Sequence, residues 1–311
     1  MIKIGIELPT WLGDCVMATP AIDNITSVYP DAKITFLGSF VAIEAMKHHP
    51  QADRTVVLDK SYLSLYKTAK ELGAFDMFFS LRSSNRSKVF KFWALAQQKF
   101  QFDKHQYARG HQVEKYNNFV NDSLQVENKP GLLTLHQQSS QLSKNSRRIL
   151  GINPGASYGS AKRWYPEKFA KVAERLSRHY DIVIFGGPGE VDMASDIEKC
   201  LLQDGISNYQ NLAGKTQVSE LISQISQLDL FITGDSGPMH VAAAFQVPTV
   251  AIFGPTKDNE TSQWMNSKSQ IVKQHLDCQP CMQRTCPLKH HNCMRFVNEE
   301  EVLDAVKQFN L

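Results

Sequence analysis

The chain has 311 residues, 42% of them hydrophobic and 21% charged, which is the composition of a folded globular protein with length enough for two domains. No apolar run approaches the roughly 20 residues of a membrane span, and the chain begins directly in a strand-like run, Ile2–Ile6, so a cytoplasmic location is expected. The net charge of +3 hides an asymmetry. Residues 1–150 carry 19 Lys+Arg against 13 Asp+Glu, a balance of +6, whereas residues 151–311 carry 15 against 18, a balance of −3. Different partners for the two halves are expected, with chance variation as the plain alternative.

Apolar strands alternate with amphipathic helices, the pattern of parallel α/β sheets. The first half predicts strands near 2–6, 33–38, 55–58 and 76–80. A helix is expected from Pro20, capped by Thr19, with Gly13 and Asp14 in the loop before it. A basic stretch follows at 82–115, with Arg82, Arg86, Lys88, Lys91, Lys99, Lys104, Arg109 and Lys115 set among aromatics such as Phe92 and Trp93. Nucleic acid fits that composition, but no nucleic-acid motif accompanies it. A solvated helix face accounts for half or more of these charges. The polar, Ser/Gln-rich run 136–148 marks a linker, giving domains 1–147 and 148–311.

The second half predicts strands near 148–153, 181–186, 229–232 and 248–253, and helices over 166–179, 190–203, 218–227 and 238–245. A final helical spacing at 299–309 leaves that segment to pack on either half, the N-terminal one included. The expected architecture is two doubly wound domains facing across a cleft, with functional turns at the carboxyl ends of their strands. Neither half carries G-x-G-x-x-G or a Walker-type lysine motif, so hydride transfer and ATP hydrolysis lose ground.

The most informative stretch is DLFITGDSGPMHVAAAFQVPTVAIFGPT, residues 229–256. It reads as strand, tight turn, helix, strand. Pro238 suits a first helical turn, so the N–H groups of Ser236 and Gly237 face outward at a helix N-terminus, a ready phosphate site. Asp235 would repel phosphate there and is better placed to grip sugar hydroxyls. Phosphate site and hydroxyl acceptor together point to a nucleotide-sugar. In Asn153-Pro154-Gly155-Ala156-Ser157, small residues permit close backbone approach. Ser157 and Lys162 could hold a diphosphate, although a surface lysine before a helix is the commoner case. Asp14 could act as general base on an acceptor hydroxyl, or simply cap a helix.

WLGDCVMATPA, NPGASYGSAKRWYPEKFA, NLAGKTQVSEL and GDSGPMHVAAAFQVPTVAIFGPT occur in this order along nearly the whole chain. Together they resemble the bacterial lipopolysaccharide-core heptosyltransferases, glycosyltransferase family 9, of GT-B fold. The tail CQPCMQRTCPLKHHNCM resembles the subgroup that adds the second heptose. The resemblance implies an inverting transferase moving L-glycero-D-manno-heptose from ADP-heptose to the first heptose of lipid A-Kdo2-heptose, with no required metal. Addition of the first heptose to Kdo2-lipid A is the alternative, and a related sugar-nucleotide epimerase or hydrolase is another. It implies Asp14 as base, with Lys162 and Ser157 on the donor diphosphate. Asp235 would hold heptose hydroxyls, with Ser236 and Gly237 on phosphate and Met239 and His240 close by. Gly214 and Thr216 would lie on the nucleoside side, with Glu190 at the ribose. Gly13, Arg82 and Arg86 would face the acceptor. An anionic lipopolysaccharide precursor at the inner-membrane surface becomes the expected partner of the basic half. The enzyme is expected to be a monomer, peripheral to that membrane, with closure of the two domains excluding water.

Four cysteines cluster as C-x2-C-x4-C-x6-C: Cys278, Cys281, Cys286 and Cys293, beside His290 and His291. That density suits structural zinc, with a redox-labile loop or buried thiols as rivals. Cys15 and Cys200 read as packed side chains.

Overall fold

Buried apolar runs make the central strands of both halves, because a parallel sheet covered by helices on both faces hides the side chains of its inner strands. The computed structural model describes residues 1–137 and 147–310. The chain divides into two units, Met1–Gln138 and Ser139–Leu311, and the expected linker lies mostly outside the described residues.

The first unit runs β1 (Lys3–Glu7), α1 (Leu12–Met17), α2 (Thr19–Val28), β2 (Lys33–Gly38), α3 (Phe40–Met46), β3 (Ala52–Val57), α4 (Tyr62–Glu71), β4 (Ala74–Ser80), α5 (Asn85–Trp93), β5 (Leu95–Gln101) and α6 (Gln112–Leu124). All its strand pairs are parallel, in the order β3-β2-β1-β4-β5. Ile4, Ile6, Phe36, Leu37, Phe78 and Phe79 are fully buried at its centre.

The second unit runs β6 (Arg148–Asn153), α7 (Pro166–Leu176), β7 (Tyr180–Ile184), α8 (Val191–Gln203), β8 (Tyr209–Asn211), α9 (Val218–Ile225), β9 (Leu230–Gly234), α10 (Gly237–Ala244), β10 (Thr249–Phe253), α11 (Asp258–Thr261), β11 (Ser269–Lys273), α12 (Asn292–Arg295) and α13 (Glu299–Lys307). Its parallel order is β11-β10-β9-β6-β7-β8. In each unit the first strand therefore lies beside the fourth, and the crossovers change side between them. That is the switch point where doubly wound sheets bind ligands. The last helix, α13, packs on α7 and β11 of its own unit.

Several local expectations change. Asp14 sits in the first turn of α1, not in a loop, and the residue flanking that helix is Trp11, so Asp14 is not its cap. Thr19 does not cap α2 either; Ala18 does, and the Thr19 hydroxyl donates to the Val16 carbonyl (2.8 Å) while accepting from Thr134 N–H. Strands β5, β8 and β11 were not foreseen. β5 reads LAQQKFQ on the sheet edge, so much of it meets solvent and the apolar signal is weak.

Candidate active site

The candidate donor residues collect at the carboxyl ends of β6, β7, β9 and β10. At the switch point of the second unit, Asn153 ends β6 opposite Thr233 of β9. The Asn153 amide is buried and donates to Thr233 Oγ1 (3.4 Å), Ser236 Oγ (3.2 Å) and the Gly155 carbonyl (3.3 Å). These bonds fix the turn that leads into α10. Ser236 is extended backbone (φ −146°), and α10 starts at Gly237 with Pro238 in its first turn. No side chain caps this helix. Its first N–H groups lack an intrahelical partner and carry the positive end of the helix dipole.

Beside this terminus Lys162 Nζ meets Asp235 Oδ2 at 2.5 Å, with 13% and 5% of the side chains exposed. Lys162 also donates to the Asp235 carbonyl (3.4 Å) and lies 4.7 Å above the Tyr158 ring. The Thr256 hydroxyl donates to the same Asp235 oxygen (2.6 Å). A buried pair of this kind repays its desolvation only with further polar partners, and here it has them. Thr256 also lines a cavity of about 500 Å³ with Gly254, Lys273, His275 and Gln279.

Glu190 is buried, and its Oε2 accepts from the Gly187 N–H (2.7 Å). A Cβ on Gly155 would overlap the Glu190 carboxyl, so any larger residue there would push this buried acid aside. Gly214 N–H donates to the Gly186 carbonyl (2.9 Å), which sets the 213–216 turn against the same strand ends, and Gly214 itself has φ +73°. Met239 and His240 are buried in α10, whereas Ser157 is exposed on the loop before Lys162.

In the first unit Glu7 ends β1 opposite Ser80 of β4 and is almost fully buried. Its Oε2 accepts from Ser80 Oγ (2.6 Å) and from Ser87 Oγ, and its Oε1 meets Arg82 Nη1 at 3.4 Å. Gln101 donates to Ser80 Oγ (3.1 Å) and to the Arg82 carbonyl. Burial lowers the Arg82 guanidinium and Glu7 opposes that shift. Arg82 is thus tied inward, and Arg86 donates to the Asp59 carbonyl. Asp14 is half-buried on α1 beside the buried Gly13. Burial and the adjoining Asp14 carboxylate both push the Cys15 thiol up. The Tyr116 phenol is raised by burial, then by Asp14 and Cys15. Cys15, buried and raised, is a packing thiol and not a nucleophile.

The Cys278–Cys293 segment wraps the donor loop. Ala161 N–H donates to the Arg284 carbonyl (3.0 Å), Tyr158 OH donates to the Met282 carbonyl (2.6 Å), and His291 Nε2 lies 3.0 Å from the Ala161 carbonyl. All four cysteines are free and line one small cavity with His290 and His291. Burial raises the Cys286 thiol, but backbone N–H groups of residues 288–291 outweigh it and bring it below its usual value. Burial raises Cys293 to about 11. Among the described residues no group of three or more His, Cys, Asp or Glu is placed to hold a metal ion, so the zinc expectation finds no assembled ligand set.

Thr256, Tyr158 and Asn153 were not foreseen as site residues. Gly-Pro-Thr at a strand end was a signal for Thr256, because it places a hydroxyl one strand away from Asp235. Nothing local in the sequence marked Glu7, which follows the expected strand 2–6 and is its last residue in the structure.

The profile of glycosyltransferase family 9 (heptosyltransferase) matches residues 79–292. Lipooligosaccharide heptosyltransferase 2 of Campylobacter jejuni is 44% identical, over 98% of this chain and 97% of that protein. The chain belongs to glycosyltransferase family 9. Its fold is that of solved family 9 structures. The Veillonella parvula glycosyl transferase family 9 protein superposes with a TM-score of 0.84 at 22% identity, over 99% of this chain and 97% of that one. Escherichia coli ADP-heptose LPS heptosyltransferase II gives 0.82 at 21% identity, over 99% and 98%. This glycosyltransferase is a GT-B protein, and no helix among its described residues is long and apolar enough to cross a membrane.

Proposed function

We propose that this glycosyltransferase moves L-glycero-D-manno-heptose from ADP-heptose to the first heptose of a lipid A-Kdo2-heptose acceptor, with inversion and without a required metal. The observation that carries the reading is the buried Lys162–Asp235 pair at the N-terminus of α10. Cation and N–H groups suit a diphosphate, and the carboxylate suits sugar hydroxyls. The near-full-length likeness to a lipooligosaccharide heptosyltransferase 2 supports the sugar and the acceptor.

In this reading the donor diphosphate takes over the Lys162 ammonium, and Asp235 turns to the heptose while keeping the Thr256 hydroxyl. The cavity beside Thr256 gives room for the sugar. Glu190, Gly214 and Thr216 hold the nucleoside half, and Ser157 reaches the phosphates from the loop. The acceptor oxygen attacks the anomeric carbon as its proton passes to Asp14, and the bond to the ADP oxygen breaks. The new charge on ADP is met by Lys162 and the Ser236 and Gly237 N–H groups, in place of a metal. Arg82 and Arg86 serve the acceptor through the loop they brace. The enzyme acts as a cytoplasmic monomer at the inner face of the membrane.

The test is transfer from ADP-heptose to two acceptors, Kdo2-lipid A and heptosyl-Kdo2-lipid A, with products read by mass spectrometry. The reading expects product from the second acceptor. Product from Kdo2-lipid A alone would assign the first heptose instead.

A further inference from the structure

Helices α4 and α5 of the first unit lie side by side and present a face that the transfer chemistry does not use. Trp93 of α5 packs edge-on against Tyr62 (6.4 Å between ring centroids) and Tyr66 (5.4 Å) of α4. Around this joint the apolar side chains point outward: Phe92 is 77% exposed, Leu63 65% and Tyr62 52%. Single exposed apolar residues are ordinary, but large ones grouped across two helices are not.

The same helices and their flanks carry Lys60, Lys67, Lys70, Lys88, Lys91 and Lys99, all exposed except the half-buried Lys91. Lys70 lies over the Tyr66 ring at 5.5 Å, and Lys99 donates to the Phe92 carbonyl (3.2 Å). Burial lowers the Lys91 ammonium, and Lys99 and Lys88 lower it further, so these charges sit close together. The acids on the two helices and their flanks are Asp59, tied to the Ser61 N–H (3.2 Å), and Glu71.

Outward aromatics ringed by lysines match one kind of partner. Tyr and Trp settle at the headgroup level of a bilayer, Phe and Leu reach the acyl boundary, and lysine stems reach back to anionic phosphates. We infer that the α4–α5 face docks on an anionic lipid bilayer, with Phe92 and Leu63 inserted and Lys88, Lys91 and Lys99 on the headgroups. The proposal rests on the membrane-surface part of the reading above and specifies the surface that makes the contact. Docking there would hold the first unit at the plane where a lipid-anchored acceptor lies.

The experiment is co-sedimentation of the full chain with vesicles of phosphatidylglycerol and phosphatidylcholine, compared with vesicles of phosphatidylcholine alone. Neither contains a sugar acceptor, so failure here leaves the transferase reading standing, and success does not depend on it. The wild type is expected to bind the anionic vesicles and lose binding at high salt. F92S should weaken binding at least about fivefold, and K88E/K91E at least about tenfold, since each lysine near the surface contributes appreciably. ADP affinity and the urea midpoint of both variants should match the wild type. K171E, a single charge reversal on α7 of the second unit, should leave vesicle binding unchanged, whereas the matching single reversal K88E should weaken it. Three outcomes would overturn the proposal: no binding to anionic vesicles, equal loss with K171E, or a concentration-dependent dimer that F92S abolishes, which would make the face a contact between copies.

Discussion

The two units share one sheet order and treat the same topological position in opposite ways. Where the first strand meets the fourth, the first unit places Glu7 opposite Ser80 and the second places Asn153 opposite Thr233. Glu7 is a buried carboxylate closed by two serine hydroxyls and Arg82. Asn153 is a neutral amide that bonds hydroxyls and leaves the neighbouring helix terminus open. A carboxylate next to an anion site repels the anion, whereas an amide does not. The difference agrees with the proposed placement of the donor diphosphate in the second unit. In the first unit Glu7 is closed by its partners, and the candidate base sits on α1, the helix that follows β1. The second unit's own carboxylate, Asp235, carries its counter-ion on a flexible lysine stem that an incoming diphosphate can draw away.

This contrast can be broken or sharpened by substitution. The largest effect is expected from Asp14→Asn, which should cut transfer about 10²- to 10⁴-fold with ADP affinity unchanged. Near-normal turnover would remove Asp14 as the base. Glu7→Ala leaves the mostly buried Arg82 guanidinium without its carboxylate and should cost about 3–5 kcal/mol in urea unfolding, again with ADP affinity unchanged. A loss of ADP binding there would show that the Glu7 position is not purely structural. Lys162→Ala and Asn153→Asp should each weaken ADP about ten- to hundredfold by calorimetry, the first by removing a cation and the second by adding an anion. Gly155→Ala drives a methyl into Glu190 and should cost about 1–3 kcal/mol of stability and weaken the nucleoside contact.

The smallest effect concerns pH. Burial, then the neighbouring His136, lower His49 to about 4, and its Nδ1 accepts the Gln51 N–H (3.2 Å). Protonation is therefore resisted in the folded state and free in the unfolded one near 6.5. Stability should be unaffected above about pH 6.5 and fall as pH drops toward 4. In His49→Leu that part of the acid slope should vanish from a series of urea midpoints.

The central strands of the second unit, β6, β7, β9 and β10, were legible because they are nearly uninterrupted apolar runs, whereas its edge strands β8 (YQN) and β11 (SQIVK) carry too few apolar residues to be foreseen. Asp235, Ser236 and Gly237 stood out in one local motif, whereas Lys162 read locally as a surface lysine and was singled out by the family resemblance; the fold brings it onto Asp235 across 73 residues. The first unit was less legible. Gly13-Asp14 looked like loop because the helix opens without a side-chain cap, and Glu7 fell just past the expected strand 2–6 with nothing to mark it, because its partners lie 73 to 80 residues away. Arg82 read as an outward cation and is instead an inward one, held by that same distant acid. The cysteine spacing suggested a cluster, and the four thiols do line one small cavity with His290 and His291.

The most direct test of the account follows ADP release from ADP-heptose by the wild-type chain, with and without heptosyl-Kdo2-lipid A. Release that requires the acceptor and matches heptosylated product one for one is the predicted result. Release at the same rate without acceptor would contradict it and make the chain a sugar-nucleotide hydrolase.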